Sequence, residues 1–441
     1  MPFMVRRVRR NNNNQKSIRK MLLHILNMLW AQRRTNGWIF AEMVIAVCAL
    51  WILADQMWVD VRCYQAPMGY DISNTWRFKL SVLPAETSGE AEGDTSADQA
   101  TELLALMERI RQEAEVEEVA MSYWSMPYSY GNAWRGLFPL EGDTAGVHAE
   151  SFHVIQISPE YFDLFRMRDE QGQPITKQVE AEAKPVVLSG AAAERFYPDR
   201  SAVGMKVSYN EDGSDPGRVV AVVPHFRSND FDREETCSFI ILQRELFEEF
   251  VNGLGARNAE LCVRMKQAMS EEQMYDFLDS ASERMRSGDL YVSGVKSIAK
   301  QREELLKSKF DSNKQRVAIG SFLLLNVFFG VAGTFWLRTQ RRRGEIGLRL
   351  AMGSSHRQIG QVIYSEGLLL LALTLPFLLL FALNYGKADQ LDTYREAYSL
   401  QRFTVTVGFA YLSMALMILI GSWYPVHKAE SLPPAEALRY E

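Results

Sequence analysis

The sequence predicts an α-helical membrane protein, with four transmembrane helices and a large α+β extracytoplasmic domain inserted between helices 1 and 2. Three observations carry this. Apolar residues gather in four runs, 38–58, 317–337, 361–385 and 403–423, each near the ~20 residues a helix needs to cross ~30 Å of hydrocarbon. The segments 1–37 and 338–360, which flank these runs, are strongly basic. Between the first and second runs, strand-like and helix-like patterns alternate as in a globular domain. Bulk composition hides this segregation: the 441-residue chain is 47% hydrophobic with a mean hydropathy of −0.16, values ordinary for a soluble protein.

Charge sets the expected orientation. Residues 1–37 carry Arg6, Arg7, Arg9, Arg10, Lys16, Arg19, Lys20, Arg33 and Arg34 and no carboxylate. Residues 338–360 carry Arg338, Arg341, Arg342, Arg343, Arg349 and Arg357 against Glu345 alone. The positive-inside rule puts both segments in the cytosol. Residues 59–316 and the short loop 386–402 then lie outside, and the tail 424–441 returns to the cytosol with both termini inside.

The chain begins with a basic, Asn-rich stretch, and Met21 or a later methionine could be its start. Ile18, Leu22, Ile25 and Leu29 then recur at helical spacing, which predicts an amphipathic helix over Ser17–Arg34 on the inner leaflet or against other protein. The first run is too long for a signal-peptide core and lacks a small-residue cleavage site, so it reads as an uncleaved anchor. Glu42 and Asp55 lie near its ends and Glu366 near the start of the third run. Carboxylates so placed are expected to reach the headgroups.

In the outer domain, Trp76, Phe78, Leu80 and Val82 alternate with polar residues, which predicts a half-buried strand. An acidic loop follows over 86–98. Leu103, Leu104, Met107 and Ile110 mark a helix, and Val116–Trp124 a second strand. Further short strands are expected at Phe152–Ile157, Pro185–Leu188, Met205–Tyr209, Arg218–Val223, Ser238–Leu242, Glu260–Met265 and Asp289–Ser297. Ser270 with Gln273 forms a capping box for a helix from Glu271 to about Arg286. From Ile298 a charged, Gly-free and Pro-free stretch runs straight into the second apolar run. One helix over 298–337 would be ~60 Å long and would serve as a mechanical stalk. Of the four cysteines, Cys48 sits in the first run; Cys237 and Cys262 could pair, but with Cys63 the outer count is odd and a disulfide stays open.

Catalytic motifs are missing. The sequence contains no Walker-type phosphate loop, no His-Glu-x-x-His and no Gly-x-Ser-x-Gly. The six histidines, His24, His148, His153, His225, His356 and His427, lack metal-ligand spacing. The reading is therefore of a non-enzyme with no cofactor, no metal and no nucleic-acid partner. What stands out is RRRGEIGLRLAMGSSHRQI at 341–359, where Ile346 and Leu350 share a helical face and Gly353 supplies a helix stop. The segment could be a topology device or a docking handle for a cytosolic partner, and composition leaves both open. The tail adds a short helical piece, Pro434–Arg439.

This segment, with Glu366 and the apolar run after it, resembles the signature of MacB/FtsX-type ABC transporter permeases. So does the closing YPVHKAESLPPAEALRYE. In the outer domain, FHVIQISPEYFDLFRM, KPVVLSGAAAERFYPDRSAVGMKV and GRVVAVVPHFRSND resemble the MacB periplasmic core domain. The sequence departs in one respect, since the ATPase domain fused to the permease in MacB is missing. The resemblance therefore implies a separate ABC ATPase subunit that binds ATP and Mg, and a homodimer or a heterodimer with a related permease.

It further implies that Gly344, Glu345, Ile346, Gly347, Arg349, Leu350 and Gly353 belong to a coupling helix on the ATPase, with Glu345, Ile346, Arg349 and Leu350 as docking contacts. Arg341, Arg342 and Arg343 are expected to anchor at anionic headgroups. Efflux of a drug, peptide or lipoprotein-type substrate would bring a periplasmic adaptor or outer-membrane channel as a further partner. An FtsX-like regulator of a cell-wall hydrolase without transport, or a membrane-anchored sensor, are the alternatives.

Overall fold

The computed structural model describes residues 33–83, 96–129, 131, 133–141 and 150–430. The amphipathic helix expected at Ser17–Arg34 is described only from Arg33. Most of the acidic loop and the Pro434–Arg439 piece lie outside the described residues. The chain folds as two units, one from the residues before 63 and after 310, the other Cys63–Phe310.

In chain order, helix α1 (Arg33–Gln65) comes first. The outer unit then holds β1 (Thr75–Val82), α2 (Ser96–Arg111), β2 (Val116–Tyr123), β3 (Trp134–Pro139) and β4 (Glu150–Ile157). Short helices α3 (Tyr161–Leu164) and α4 (Thr176–Glu180) precede β5 (Pro185–Ser189), α5 (Gly190–Phe196), β6 (Lys206–Ser208), β7 (Gly217–Val223) and β8 (Cys237–Ile241). The unit continues with α6 (Arg244–Leu254), β9 (Glu260–Met265), α7 (Glu271–Ala281), β10 (Arg286–Ser287) and β11 (Leu290–Ser297). Helix α8 runs unbroken from Ile298 to Arg341, followed by α9 (Arg343–Ala351), α10 (His356–Ala372), α11 (Leu375–Lys387) and α12 (Leu400–Glu430).

The outer unit is built on one mixed sheet of order β10-β11-β1-β9-β2-β4-β3-β6-β7-β5-β8. Strand β4 also pairs in parallel with β8, so β4, β8, β5, β7, β6 and β3 close into a ring. Alternation explains β1: Trp76, Phe78 and Leu80 are buried in the same core as the α2 residues Leu103, Leu106 and Ile110. Strands β5 and β8 are buried on both faces and read as continuous apolar runs, as strands covered on both sides do. Ser270 and Gln273 make the reciprocal cap of α7. The amphipathic helix α6 carries no expectation from the sequence; it buries Phe247 and Val251, one turn apart. Cys237 and Cys262 are buried free thiols, and burial pushes both thiol pKa values up.

Among the described residues, four helical segments are long and apolar enough to cross a membrane: Gly37–Gln65, Ile298–Arg341, Arg357–Lys387 and Leu400–Lys428. The first extends a full turn or more past Trp58, where the apolar run ends. The third is interrupted at Thr374, because Pro376 has no N–H for the ladder and its ring crowds the carbonyl four residues back. Thr374 Oγ1 instead donates to the Leu371 carbonyl at 2.6 Å and meets Tyr411 Oη at 2.9 Å. Trp51, fully buried, presents its edge to Phe381 and Tyr385, with Met43, Val331, Phe335 and Met414 in the same core. Gly367 allows a close approach, since a Cβ there would lie 2.7 Å from Ile418 Cγ2.

Candidate functional site

The site grows from the junction of α8 and α9. Arg338 and Arg342 stand one turn apart and so share a face, and α10 offers one carboxylate to that face. Arg338 Nη1 donates to Glu366 Oε1 at 2.6 Å, and Arg342 Nη1 donates to Glu366 Oε2 at 3.3 Å. Glu366 is 2% exposed and Arg338 8%. The expected placement of Glu366 and Arg342 at the headgroups is thus corrected. Both turn inward, because a carboxylate between two guanidiniums is far better solvated than one in hydrocarbon. Arg341 is exposed.

Helix α9 follows directly, with Ile346 N donating to the Arg342 carbonyl at 2.9 Å. It ends at Gly353, whose φ of +95° suits glycine. Ser355 and Gln358 form a second reciprocal cap at the start of α10. Between these stops α9 has two faces. Ile346 is 7% exposed and packs on Ile359 and Ile363 of α10, with Gly347 buried beside it. Ile346 is therefore not an outward contact, a second correction: its burial inside the chain claims it first. The outward apolar residues are Leu348 and Met352, 52% and 72% exposed and one turn apart. Sequence reasoning passes over both, although the spacing i, i+4 was the available signal. Gly344 and Glu345 are exposed, and Glu345 accepts from Arg349 at 2.5 Å. The side chains of Arg343 and Leu350 lie outside the described residues.

A second buried ionic cluster lies in the same unit, at the other end of these helices. Arg402 is fully buried and grips Asp55 with two hydrogen bonds, at 2.8 and 2.6 Å. Its remaining donors reach the carbonyls of Asp392 and Glu396. Asp60, 2% exposed, accepts from Arg316 at 2.5 Å and Arg395 at 2.6 Å. Asp55 is thus a paired core residue and not a headgroup contact. Among the described residues no cluster of His, Cys, Asp or Glu could hold a metal ion.

Two family models match the chain. A MacB-like periplasmic core domain model matches residues 69–276, and an FtsX-like permease C-terminal model matches residues 317–434. The chain belongs to the MacB/FtsX-type permeases. By these matches it is a permease-type membrane chain, with four candidate spans among the described residues and a MacB-like periplasmic core domain.

This permease is 26% identical over 300 residues to the macrolide export ATP-binding/permease protein MacB 1 of Yersinia pestis, covering 65% of this chain and 43% of that one. The permease therefore spans less than half of that relative's length. It is 23% identical to the uncharacterized ABC transporter permease YvrN of Bacillus subtilis, over 66% of this chain and 73% of YvrN. The solved periplasmic region of MacB from Actinobacillus actinomycetemcomitans overlays 55% of this chain and 94% of its own, at 15% identity and a TM-score of 0.31. A domain of a permease from Porphyromonas gingivalis overlays 51% and 90%, at 13% identity and a TM-score of 0.33.

Proposed function

We propose that this permease docks a separate ABC ATPase subunit through the outward face of α9 and passes ATP-driven movement along α8 to its outer domain, for export or mechanotransmission. The observation that carries this reading is the two-sidedness of α9. One face is fastened to the permease by Ile346, Ile359 and Ile363, while Leu348 and Met352 are left outward with Gly344 and Glu345. An exposed apolar pair on a short helix is a natural anchor for a partner. ATP and Mg belong to the partner subunit. The permease acts as a homodimer or heterodimer, with α9 and both termini in the cytosol, and lipid around its four spans. The match of the outer unit to the MacB-like core domain favours efflux of a drug, peptide or lipoprotein-type substrate over regulation of a cell-wall hydrolase. A periplasmic adaptor or outer-membrane channel then completes the path.

The test is co-purification of the tagged permease with its ATP-binding subunit, with ATPase rate as the second readout. Leu348→Asp and Met352→Asp each put a charge into the contact and are expected to weaken association at least tenfold. Leu348→Met should leave it intact. Association and ATPase stimulation unchanged in both Asp variants would refute the docking face.

A further inference from the structure

The loop joining β7 to β8, residues 224–236, has no role in the reading above, yet its polar groups are unusually committed. Arg227 is 1% exposed. Its guanidinium donates to five backbone carbonyls, Cys63 at 2.5 Å, Pro67 at 3.0 Å, Ala66, Asp230 at 3.1 Å and Asp232 at 3.2 Å, and to Met68 Sδ at 3.1 Å. A guanidinium offers five N–H donors in a rigid fork. Carbonyls of the main chain cannot swing away as a carboxylate side chain can, so this fork fixes the chain path itself. Cys63, Ala66 and Pro67 are where the chain enters the outer unit. The entering segment runs flush on the loop, since a Cβ at Gly69 would lie 1.7 Å from the His225 carbonyl oxygen.

The same loop holds the exit. Asp230, 4% exposed, accepts from Arg302 Nε at 3.0 Å, from Arg302 Nη2, and from Tyr128 Oη at 3.0 Å. Arg302 lies in the second turn of α8, where Gln301 also donates to the Tyr128 carbonyl at 2.8 Å. Phe231 packs on Tyr64 of the entry and Phe310 of the exit, with ring centroids 5.6 and 5.5 Å apart, and Tyr64 meets Phe310 at 5.8 Å. Apolar packing alone would stabilise such a loop without fixing orientation; directional hydrogen bonds fix it.

We propose that the 224–236 loop is a joint that locks the entering chain at 63–67 to the exiting helix at 298–310, with Arg227 and Asp230 as its positioning residues. Movement of either chain crossing then enters the outer domain as motion of one body and is not lost in local bending. Its use in ATP-driven work rests on the proposed function; the locking itself does not.

The experiment uses the full permease, with its ATP-binding subunit, in lipid nanodiscs, with Cys48→Ser and spin labels at Ser214→Cys and Lys307→Cys. Both labels sit in the outer unit. The unaltered joint should give one narrow inter-label distance. Arg227→Lys and Asp230→Asn should each broaden it at least twofold while the domain keeps its protease resistance, and Asp230→Glu should restore most of the narrowness. ATP with vanadate should change the mobility of both labels when the joint is intact, and only that at position 307 in Asp230→Asn. A distance equally narrow in folded Arg227→Lys and Asp230→Asn overturns the joint. If those two variants do not fold, Arg302→Lys, which keeps the charge and loses the two-point grip, must broaden the distance or the joint is overturned. No response of either label to nucleotide with the joint intact overturns the ATP-driven reading, and the joint then stands or falls on the distance alone.

Discussion

Replacing Glu366 by Gln isolates the ionic strut under α9. The carboxylate is 2% exposed and accepts from Arg338, itself 8% exposed, and from Arg342. Removing one member of a buried ion pair costs roughly 3–5 kcal/mol, since the remaining charge stays buried. Gln keeps a carbonyl acceptor and the Arg342 side chain is 20% exposed, so the low end, about 3 kcal/mol, is expected. For a unit of this size that corresponds to a fall of roughly 6–12 °C in unfolding temperature.

The assay is thermal unfolding of the purified full chain in one fixed detergent, followed by tryptophan fluorescence. Glu345→Gln is the control. Its carboxylate is 46% exposed, and such an i, i+4 pair is worth under about 0.5 kcal/mol. The double variant Glu366→Leu with Arg338→Met should recover most of the loss, because an apolar pair carries no desolvation cost. An unfolding temperature for Glu366→Gln within 2 °C of the control variant, with the double variant no better, would refute the strut; the 2 °C threshold is about 1 kcal/mol here.

Two further outcomes are expected. Asp55→Asn should destabilise the helical unit by about 3 kcal/mol or more, since Arg402 is fully buried, and Asp55→Leu with Arg402→Met should recover it in the same unfolding assay; an Asp55→Asn protein as stable as the original would show that water reaches the pair. Impermeant thiol labelling of single cysteines should mark Ser214→Cys from outside intact cells and Ser354→Cys only after the membrane is opened, and the reverse pattern would overturn the assigned orientation.

Much of the architecture is legible without coordinates, for reasons of period and length. A run of about 20 apolar residues has few homes other than a bilayer. The alternation in β1 and the Ser270–Gln273 and Ser355–Gln358 caps are local, each confined to residues a few positions apart, so the sequence displays their physics directly. Helix α6 escapes because it is only eleven residues long and lies between two strands. The ring of the outer unit escapes because β4 pairs with β8, two segments separated by some eighty residues, and nothing local announces a parallel pair.

The candidate site divides along the same line. That residues 341–359 form a basic, glycine-stopped helix is written in their order. Which face of that helix looks outward is not, because Ile346 and Leu348 are equally apolar and only the position of Ile359 on α10 decides between them. Likewise a lone acidic residue near the end of an apolar run reads as solvent-seeking until its partner is known. Arg402 lies 347 positions from Asp55, and Glu366 meets Arg338 only because two helices pack side by side. By itself the sequence determined the four apolar spans, the position of the outer domain between the first two, and the basic segment that interrupts the second and third. The tertiary structure decided which charges are paired in the core, which apolar side chains of α9 stay exposed, and that one loop holds both chain crossings of the outer domain. Burial and charge pairing depend on neighbours remote in the chain, and only packing brings those neighbours together.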